Sequence, residues 1–384
     1  MELYVHIPFC AKKCDYCDFL SFPRGKDAQD AYMQALFAEI RGVARFLGEE
    51  NKVTSVFVGG GTPSLLDAAW IASLMEEIDR EFSLAEDAEI TMEANPGTLD
   101  AEKLHIYRES GINRLSLGLQ SADNKELKTL GRIHSFEDFL HSYDLVRKAG
   151  FSNVNVDLMT AIPGQNLASL ERSLKRVKEL APEHISAYSL IVEPGTPFAN
   201  RDLDLPSEEE ERRMYEYTGE YLEEAGYHRY EISNYAREGY ECRHNIGYWR
   251  RVPYLGFGLG AASLWRERRF SNTDCMEEYL NLAGNMAPDN PEECCSQIKK
   301  IRKNLEILDQ KACMEEFVFL GLRMMQGISS QDFFHNFGKS LEEVYGNVIQ
   351  RYVDSGHVSY QNGWLALTKE GISVSNVIMA DFLL

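Results

Sequence analysis

The chain has 384 residues, 44% of them apolar, which suits one large α/β domain with a smaller companion. Its 60 acidic residues outnumber 40 basic ones, and the net charge of −20 excludes a generic affinity for nucleic acid or anionic lipid. No apolar run reaches the roughly 18 residues of a membrane span, and "MELYVHIPF" lacks the basic start and long apolar stretch of a secretory signal. A cytoplasmic location is expected, where 8 cysteines in a chain of this length point to metal binding or chemistry instead of disulfides.

In chain order, β-rich runs alternate with amphipathic ones. "LYVHI" (3–7) is followed by a helical pattern in "DAYMQALFAEIRGVARFL". "TSVFV" (54–58) leads into "SLLDAAWIASLMEEIDREF", with Ser64 after Pro63 as its expected N-cap. "EITME" (89–93), "RLSLG" (114–118), "NVNVDL" (153–158) and "ISAYSL" (185–190) continue the strands, with helices expected near 99–110, 136–149, 167–180 and 207–225. "SEEEERR" (207–213) reads as the solvated start of the last of these helices. Six strand–helix repeats imply a parallel sheet with right-handed crossovers. The length favours a partial or full (β/α) barrel over an open doubly wound sheet, although strand order is not written in a single sequence. After about 235 the alternation stops, and 239–270 is rich in Gly, Tyr, Trp and Arg. A helix "EEFVFLGLRMMQGI" (315–328), another near 340–354, and a hairpin "HVSYQNGWLALT" (357–368) turning at Asn362-Gly363 suggest a small winged-helix-like α+β domain. The expected divisions are a core over 1–235, a connecting segment over 236–296 and a C-terminal domain over 297–384.

The stretch "CAKKCDYCDF" sets Cys10, Cys14 and Cys17 on the loop after the first strand, where α/β proteins place their chemistry. Three readings stand. Zinc would take three Cys and one His, with His6 nearby. A [4Fe–4S] cluster takes one thiolate per iron, so three would leave one iron open. The third is three unconnected thiols on one helix face, at i, i+4 and i+7. "GGGTPS" (59–64) after the second strand is a Gly-rich turn whose backbone a ligand can approach closely. It is neither a dinucleotide fingerprint nor a Walker loop. Glu93, Gln120 and Asp157 end or nearly end the third, fourth and fifth strands, and so would point at one common face.

C-x3-C-x2-C with aromatic Tyr16 before the last cysteine resembles the signature of the radical S-adenosylmethionine (SAM) superfamily. The resemblance implies a partial (β/α)6 TIM-like barrel. It also implies a [4Fe–4S] cluster on Cys10, Cys14 and Cys17 whose open iron is chelated by SAM, and an electron delivered through the cluster to the sulfonium. It assigns Gly60, Gly61 and Thr62 to the methionine end of SAM, and adds Tyr4, Tyr16, Glu93, Gln120, Asp157 and Arg132 of "LGRIH" to the SAM set. "HIPFC", "EANPGT", "RLSLGLQS", "YSLIVEPGTPF", "YEISNYA" and "LTKEGISVSN" extend the resemblance over almost the whole chain. They resemble the family of HemW and oxygen-independent coproporphyrinogen III dehydrogenase. "TAIPGQ" departs from it, where an aromatic-Gly-Leu commonly precedes Pro-Gly-Gln.

Within that family three features tilt the expectation toward a heme chaperone. Phe19 stands where the dehydrogenases carry a further cysteine. The first strand begins at residue 2 or 3, with no N-terminal lid. "HNIGYW" (244–249) matches the H-N-x-x-Y-W motif of the chaperones. By that resemblance the cargo is heme and the partners are heme-accepting respiratory proteins and an electron donor for the cluster, with monomer and homodimer both open. His244 is the expected iron ligand, with Asn245 beside it, Tyr248 and Trp249 against the porphyrin, and Cys242 as a second ligand candidate. The structural alternative is that His244 and Asn245 satisfy backbone groups while Trp249 fills a groove. Cys275, Cys294, Cys295 and Cys313 lack cluster spacing and are expected to be ordinary, with Cys294 and Cys295 at the surface. The enzymatic alternative is oxidative decarboxylation of coproporphyrinogen III.

Overall fold

The computed structural model describes residues 1–47, 52–286 and 290–384. Strands β1 (Glu2–Ile7), β2 (Lys52–Gly60), β3 (Ser83–Ala94), β4 (Arg114–Gln120), β5 (Val154–Thr160) and β6 (His184–Ser189) pair in parallel, each with the next in sequence. Helices α1 (Lys26–Ala44), α2 (Ala68–Glu81), α3 (Ala101–Glu109), α4 (Asn124–Thr129), α5 (Phe136–Lys148) and α6 (Leu167–Leu180) make the crossovers, and α7 (Glu208–Glu224) follows β6. A right-handed crossover at every step of an unbroken order puts all the helices on one side. The other face curls inward, which is the barrel arrangement and not the doubly wound one. Among the described residues the sheet does not close on itself.

One correction concerns the start of α2. Pro63–Leu65 is a separate single turn, Leu66 is extended and buried, and Asp67 caps the helix by accepting from the Ala69 N–H at 3.1 Å. Ser64 is therefore not the cap. Its Oγ serves Thr98 Oγ1 at 2.6 Å and the Asn95 N–H at 3.3 Å.

A second correction concerns the region after 235. β7 (His228–Arg229) and β8 (Asn234–Ala236) extend the sheet beyond β6, and α8 (Arg243–Trp249) follows. β9 (Tyr254–Phe257) returns to pair in parallel with β1, and β10 (Ala262–Trp265), β11 (Arg268–Asn272) and β12 (Arg302–Ile307) continue antiparallel outward. These strands escape sequence patterning because they are short, and because "YLGF" is mostly buried and does not alternate. Glu39 of α1 anchors the extension. Its carboxylate is fully sequestered and accepts from the Gly258 N–H at 2.9 Å, Asn272 Nδ2 at 2.6 Å and Tyr279 Oη at 2.6 Å.

Helices α9 (Met276–Gly284) and α10 (Pro291–Ile301) pack on α1. Cys294 faces that contact, buried with Ile298 and Ile301 at i, i+4 and i+7, so the expected surface position holds only for half-buried Cys295. Cys242 and Cys313 are buried and Cys275 is exposed.

The chain ends in α11 (Gln310–Gly321), β13 (Ile328–Ser329), α12 (Ser330–Phe337), α13 (Leu341–Asp354), β14 (Val358–Gln361), β15 (Trp364–Leu367), α14 (Lys369–Ser373) and α15 (Ser375–Ala380). The three strands form a small antiparallel sheet, with a core of its own around Phe333, Leu341, Tyr345 and Ile378. Asn362 and Gly363 both have positive φ, 53° and 76°, as a two-residue Asn-Gly hairpin turn requires. This is the expected winged-helix-like unit. No helix among the described residues is long and apolar enough to cross a membrane.

Candidate functional site

The cysteines lie on an irregular loop after β1, not on a helix, so the helix-face reading falls. Backbone bonds pin the loop at both ends: Phe22 N–H to Pro8 O at 2.8 Å, Cys10 N–H to Phe22 O at 3.2 Å and Asp15 N–H to Leu130 O at 3.1 Å. All three thiols are half-buried and line one cavity at the carboxyl ends of the strands.

His6 is not available as a zinc ligand. Its Nε2–H donates to Leu20 O at 2.8 Å, which leaves Nδ1 to accept from Tyr4 Oη at 3.0 Å. Among the described residues no three His, Cys, Asp or Glu side chains converge to hold a single ion. Three thiols lining one cavity suit a multi-iron cluster, which takes one thiolate per iron. Burial pushes the Cys17 thiol up to about 11, with Cys14 and Cys10 adding to the shift, so a cationic metal group is what would make three thiolates tolerable here.

The glycine turn forms one wall. Gly60 has φ +107°, and a Cβ there would run into the His6 ring; at Gly61 it would meet Phe9 O at 2.6 Å. Only glycine brings the backbone this close. The Gly60 N–H donates to Glu93 Oε2 at 2.9 Å. Burial, then the nearby Asp157 carboxylate, raises Glu93 to about 7. Asp157 is raised too, by burial, although Asn155 Nδ2 at 2.7 Å and Ser116 Oγ at 3.3 Å donate to it. Two carboxylates in one sequestered space favour a cationic ligand group. Gln120 ends β4 with φ 73°, a strained conformation of the kind found at ligand sites. Across the cavity Arg132 donates through Nη2 to Asn95 Oδ1 and Gly118 O, both at 2.7 Å, and through Nη1 to Cys14 Sγ at 3.6 Å. A guanidinium facing two carboxylates across a glycine edge suits a zwitterionic, amino-acid-like head group.

Of the residues expected here, Cys10, Cys14, Cys17, Tyr16, Gly60, Gly61, Thr62, Glu93, Gln120, Arg132 and Asp157 line this cavity together. Tyr4 is not part of the lining and instead holds His6. Asn95, Ser116 and Asn155 were missed. Asn95 stands two residues from Glu93, and Asn155 two from Asp157, so the period of two along a strand was the available signal.

The H-N-x-x-Y-W residues lie elsewhere. Helix α8 closes the amino end of the half barrel, opposite the cysteines. Glu89 of β3 caps it, accepting from the Arg243 N–H at 3.1 Å, the His244 N–H at 3.2 Å and Cys242 Sγ at 3.4 Å. His244 is 1% exposed, stacked on Phe57 with ring centroids 5.2 Å apart, and edge-on to Tyr248 at 4.7 Å. Its Nδ1 bonds Ser55 Oγ at 2.8 Å, and its Nε2 has no partner. Burial, then Arg114, lowers it to about 3, so the ring is neutral. A Cβ on Gly247 would run into the buried Glu2 carboxylate. Asn245 is half-buried and lines neither cavity, whereas Tyr248 and Trp249 line a second cleft with Tyr254 and Phe319. Between the two ends runs a hydrogen-bonded column: Asp157 to Asn155 at 2.7 Å, Asn155 to His184 at 2.6 Å, His184 to Tyr230 at 2.8 Å, and Tyr230 to the Cys242 N–H at 3.3 Å.

A strand-sequential half barrel with a three-thiol loop and a glycine wall at its carboxyl end is the architecture of the Radical SAM superfamily, whose model matches residues 4–177; the HemN C-terminal domain matches 308–374. The chain is 36% identical over 385 residues to the heme chaperone HemW of Bacillus subtilis, covering 99% of this chain and 98% of that relative. It is 42% identical over 263 residues to HemW of Escherichia coli, covering 68% and 69% of the two chains. The chain belongs to the HemW family. The solved structure of coproporphyrinogen III oxidase (HemN) from Escherichia coli, a radical SAM enzyme, aligns with a TM-score of 0.84 at 24% identity, covering 100% of this chain and 89% of that one, and so shares the fold.

Proposed function

We propose that this protein is a heme chaperone that binds heme and passes it to acceptor proteins, respiratory-chain components among them. The observation that carries the reading is the full-length likeness to HemW relatives at 36% identity, with Phe19 in place of the extra cysteine of the dehydrogenases. Phe19 sits at the mouth of the thiol cavity, 62% exposed, and offers an apolar contact where a thiol would otherwise stand. The test has two arms. Heme-loaded protein mixed with a heme-free acceptor is expected to give up its heme, followed by the Soret spectrum. The reduced, reconstituted protein with SAM and coproporphyrinogen III is expected to form no protoporphyrinogen IX; its formation would overturn the chaperone reading in favour of the dehydrogenase.

Cys10, Cys14 and Cys17 would hold the [4Fe–4S] cluster, which supplies one electron from an external donor toward SAM at its open iron. Gly60, Gly61 and Thr62 present the backbone edge, Glu93 and Asp157 match the cationic groups of SAM, and Arg132 matches its carboxylate. Gln120 and Tyr16 complete the lining, and Tyr4 acts through His6. This predicts a pH dependence. A cationic ligand binds the ionised form of Glu93, so SAM affinity should rise as pH climbs through about 7 and level off above it. Below that point it should weaken by up to about tenfold per unit. Calorimetric titration between acid and neutral pH checks this, and Glu93→Gln should flatten the profile.

For the cargo, His244 is the proposed axial ligand. Burial keeps the imidazole neutral, and its unpartnered Nε2 is the atom an iron would take. The ring is sealed between Phe57 and Tyr248, so ligation requires α8 to move from the barrel end, and Asn245, Tyr248 and Trp249 move with it. Heme titration of His244→Ala is expected to show a shifted Soret band and weaker binding. An unchanged spectrum and affinity would remove His244 from the role and leave the Tyr248–Trp249 cleft or Cys242.

A further inference from the structure

We propose that Asn95 is a positioning residue that aims two hydrogen-bond donors at the cluster thiolates and thereby sets the reduction potential of the cluster. The inference rests on the cluster reading above. Its basis is an unbroken chain of contacts from Cys10 to Cys14. Arg132 Nη2 lies 2.7 Å from Asn95 Oδ1, and Asn95 Nδ2 lies 2.7 Å from Thr62 Oγ1. Thr62 Oγ1 lies 3.4 Å from Cys10 Sγ, and Arg132 Nη1 lies 3.6 Å from Cys14 Sγ.

The direction of every bond follows from one fact: a guanidinium only donates. The Asn95 atom facing Arg132 must therefore be the oxygen, and the atom facing Thr62 must be the NH2. Thr62 Oγ1 then accepts from Asn95, which frees its own proton for Cys10. Both arms deliver a donor to sulfur, one from a hydroxyl and one from a cation, and the amide between them orients both, with Gly118 O as the second acceptor for Arg132 Nη2. Asn95 itself cannot drift. Its N–H donates to Ser64 Oγ at 3.3 Å, and its carbonyl accepts from Thr98 Oγ1 at 2.7 Å. The space is shaped for this arrangement, since a Cβ on Gly118 would lie 2.6 Å from Asn95 Oδ1 and 3.3 Å from Arg132 Nη2. Hydrogen bonds to cluster sulfurs stabilise the more negative, reduced state and raise the potential. The residue just past the end of β3 thus touches the cluster chemistry without supplying a ligand to it.

The test is an EPR-monitored redox titration of the reconstituted full chain without SAM, in wild type, Asn95→Leu, Thr62→Val and the double variant. Leu fills the amide's volume, removes both bonds and adds no charge. The expected result is a reduced-to-oxidised ratio about tenfold lower at fixed poise in Asn95→Leu, equivalent to about 59 mV for a one-electron couple. Thr62→Val should shift the same way by less, and the double variant no further than Asn95→Leu alone, because both act through one chain of bonds. Fe–S(Cys) stretches in resonance Raman should move with the potential. Wild-type potential in Asn95→Leu at full iron and sulfide content overturns the proposal, as do additive shifts in the double variant. If Asn95→Leu fails to assemble a cluster, Thr62→Val decides: a shift supports the proposal and no shift overturns it. A wild-type chain that holds no iron and sulfide is a different failure, and it removes the cluster reading itself.

Discussion

Replacing Cys14 by Ala is expected to abolish the iron and sulfide content and the visible absorbance of the reconstituted protein while leaving its far-UV circular dichroism unchanged. The same result is expected for Cys10→Ala and Cys17→Ala. On the proposed set of three thiolates, losing one would leave a second iron without a protein ligand, and the neighbouring imidazole of His6 is committed to Leu20 O and Tyr4. The fold survives because the loop carries little of the core. The three thiols are half-buried at a cavity edge, and the main apolar cluster is built from strand and helix residues around Leu3, Val5, Val56 and Leu115. Stability measured by urea unfolding without iron should change by no more than about 1 kcal/mol. An Ala variant that keeps full iron and sulfide would show that the loop does not hold the cluster.

Glu89→Ala is expected to be strongly destabilising, costing about 3–5 kcal/mol. Two losses combine. Arg114, 2% exposed, faces Glu89 among its countercharges, and removing the carboxylate leaves a buried guanidinium less compensated. The first N–H groups of α8 lose their acceptor at the same time. Glu89→Gln keeps an acceptor and should cost less. The salt bridge between Arg243 and Asp87 lies on the surface above the same site, and Arg243→Ala should change stability by no more than about 1 kcal/mol. Urea unfolding of the three variants gives the ranking, and equal losses for Glu89→Ala and Arg243→Ala would refute the buried-charge account.

The parallel core was legible because each of its strands is a compact apolar run separated by a long amphipathic helix. The cavity was legible because its polar residues sit at strand ends, where any polar residue in such a run stands out. Residues deeper in the barrel were not. Asn155 and His184 lie within strands, and nothing marks an inward polar side chain until the strand order shows that their neighbours also face inward. The sheet extension failed for the opposite reason: β9 to β12 are short, and β9 finds its partner in β1, which local pattern cannot indicate. The placement of "HNIGYW" needed the same long-range knowledge. The motif was legible as a motif, but its place at the amino end of the barrel depends on Ser55, Glu89 and Glu2, all distant in sequence.

The pairing of β1 with β9 also dictates an order of assembly. Glu2 through Val5 lie between Ser55–Val58 of β2 and Tyr254–Phe257 of β9, so the earliest strand of this sheet is completed by one of its later ones. While the chain is being synthesised, β1 can dock on β2 early, but its other edge keeps unpaired backbone groups until residue 257 has been added. Such an edge is a template for wrong partners, and the wait is long because the intervening parallel units are themselves slow to close. The nascent protein therefore depends on having its own first edge shielded, and the barrel core becomes safe from intermolecular pairing only once the segment after α8 has come home.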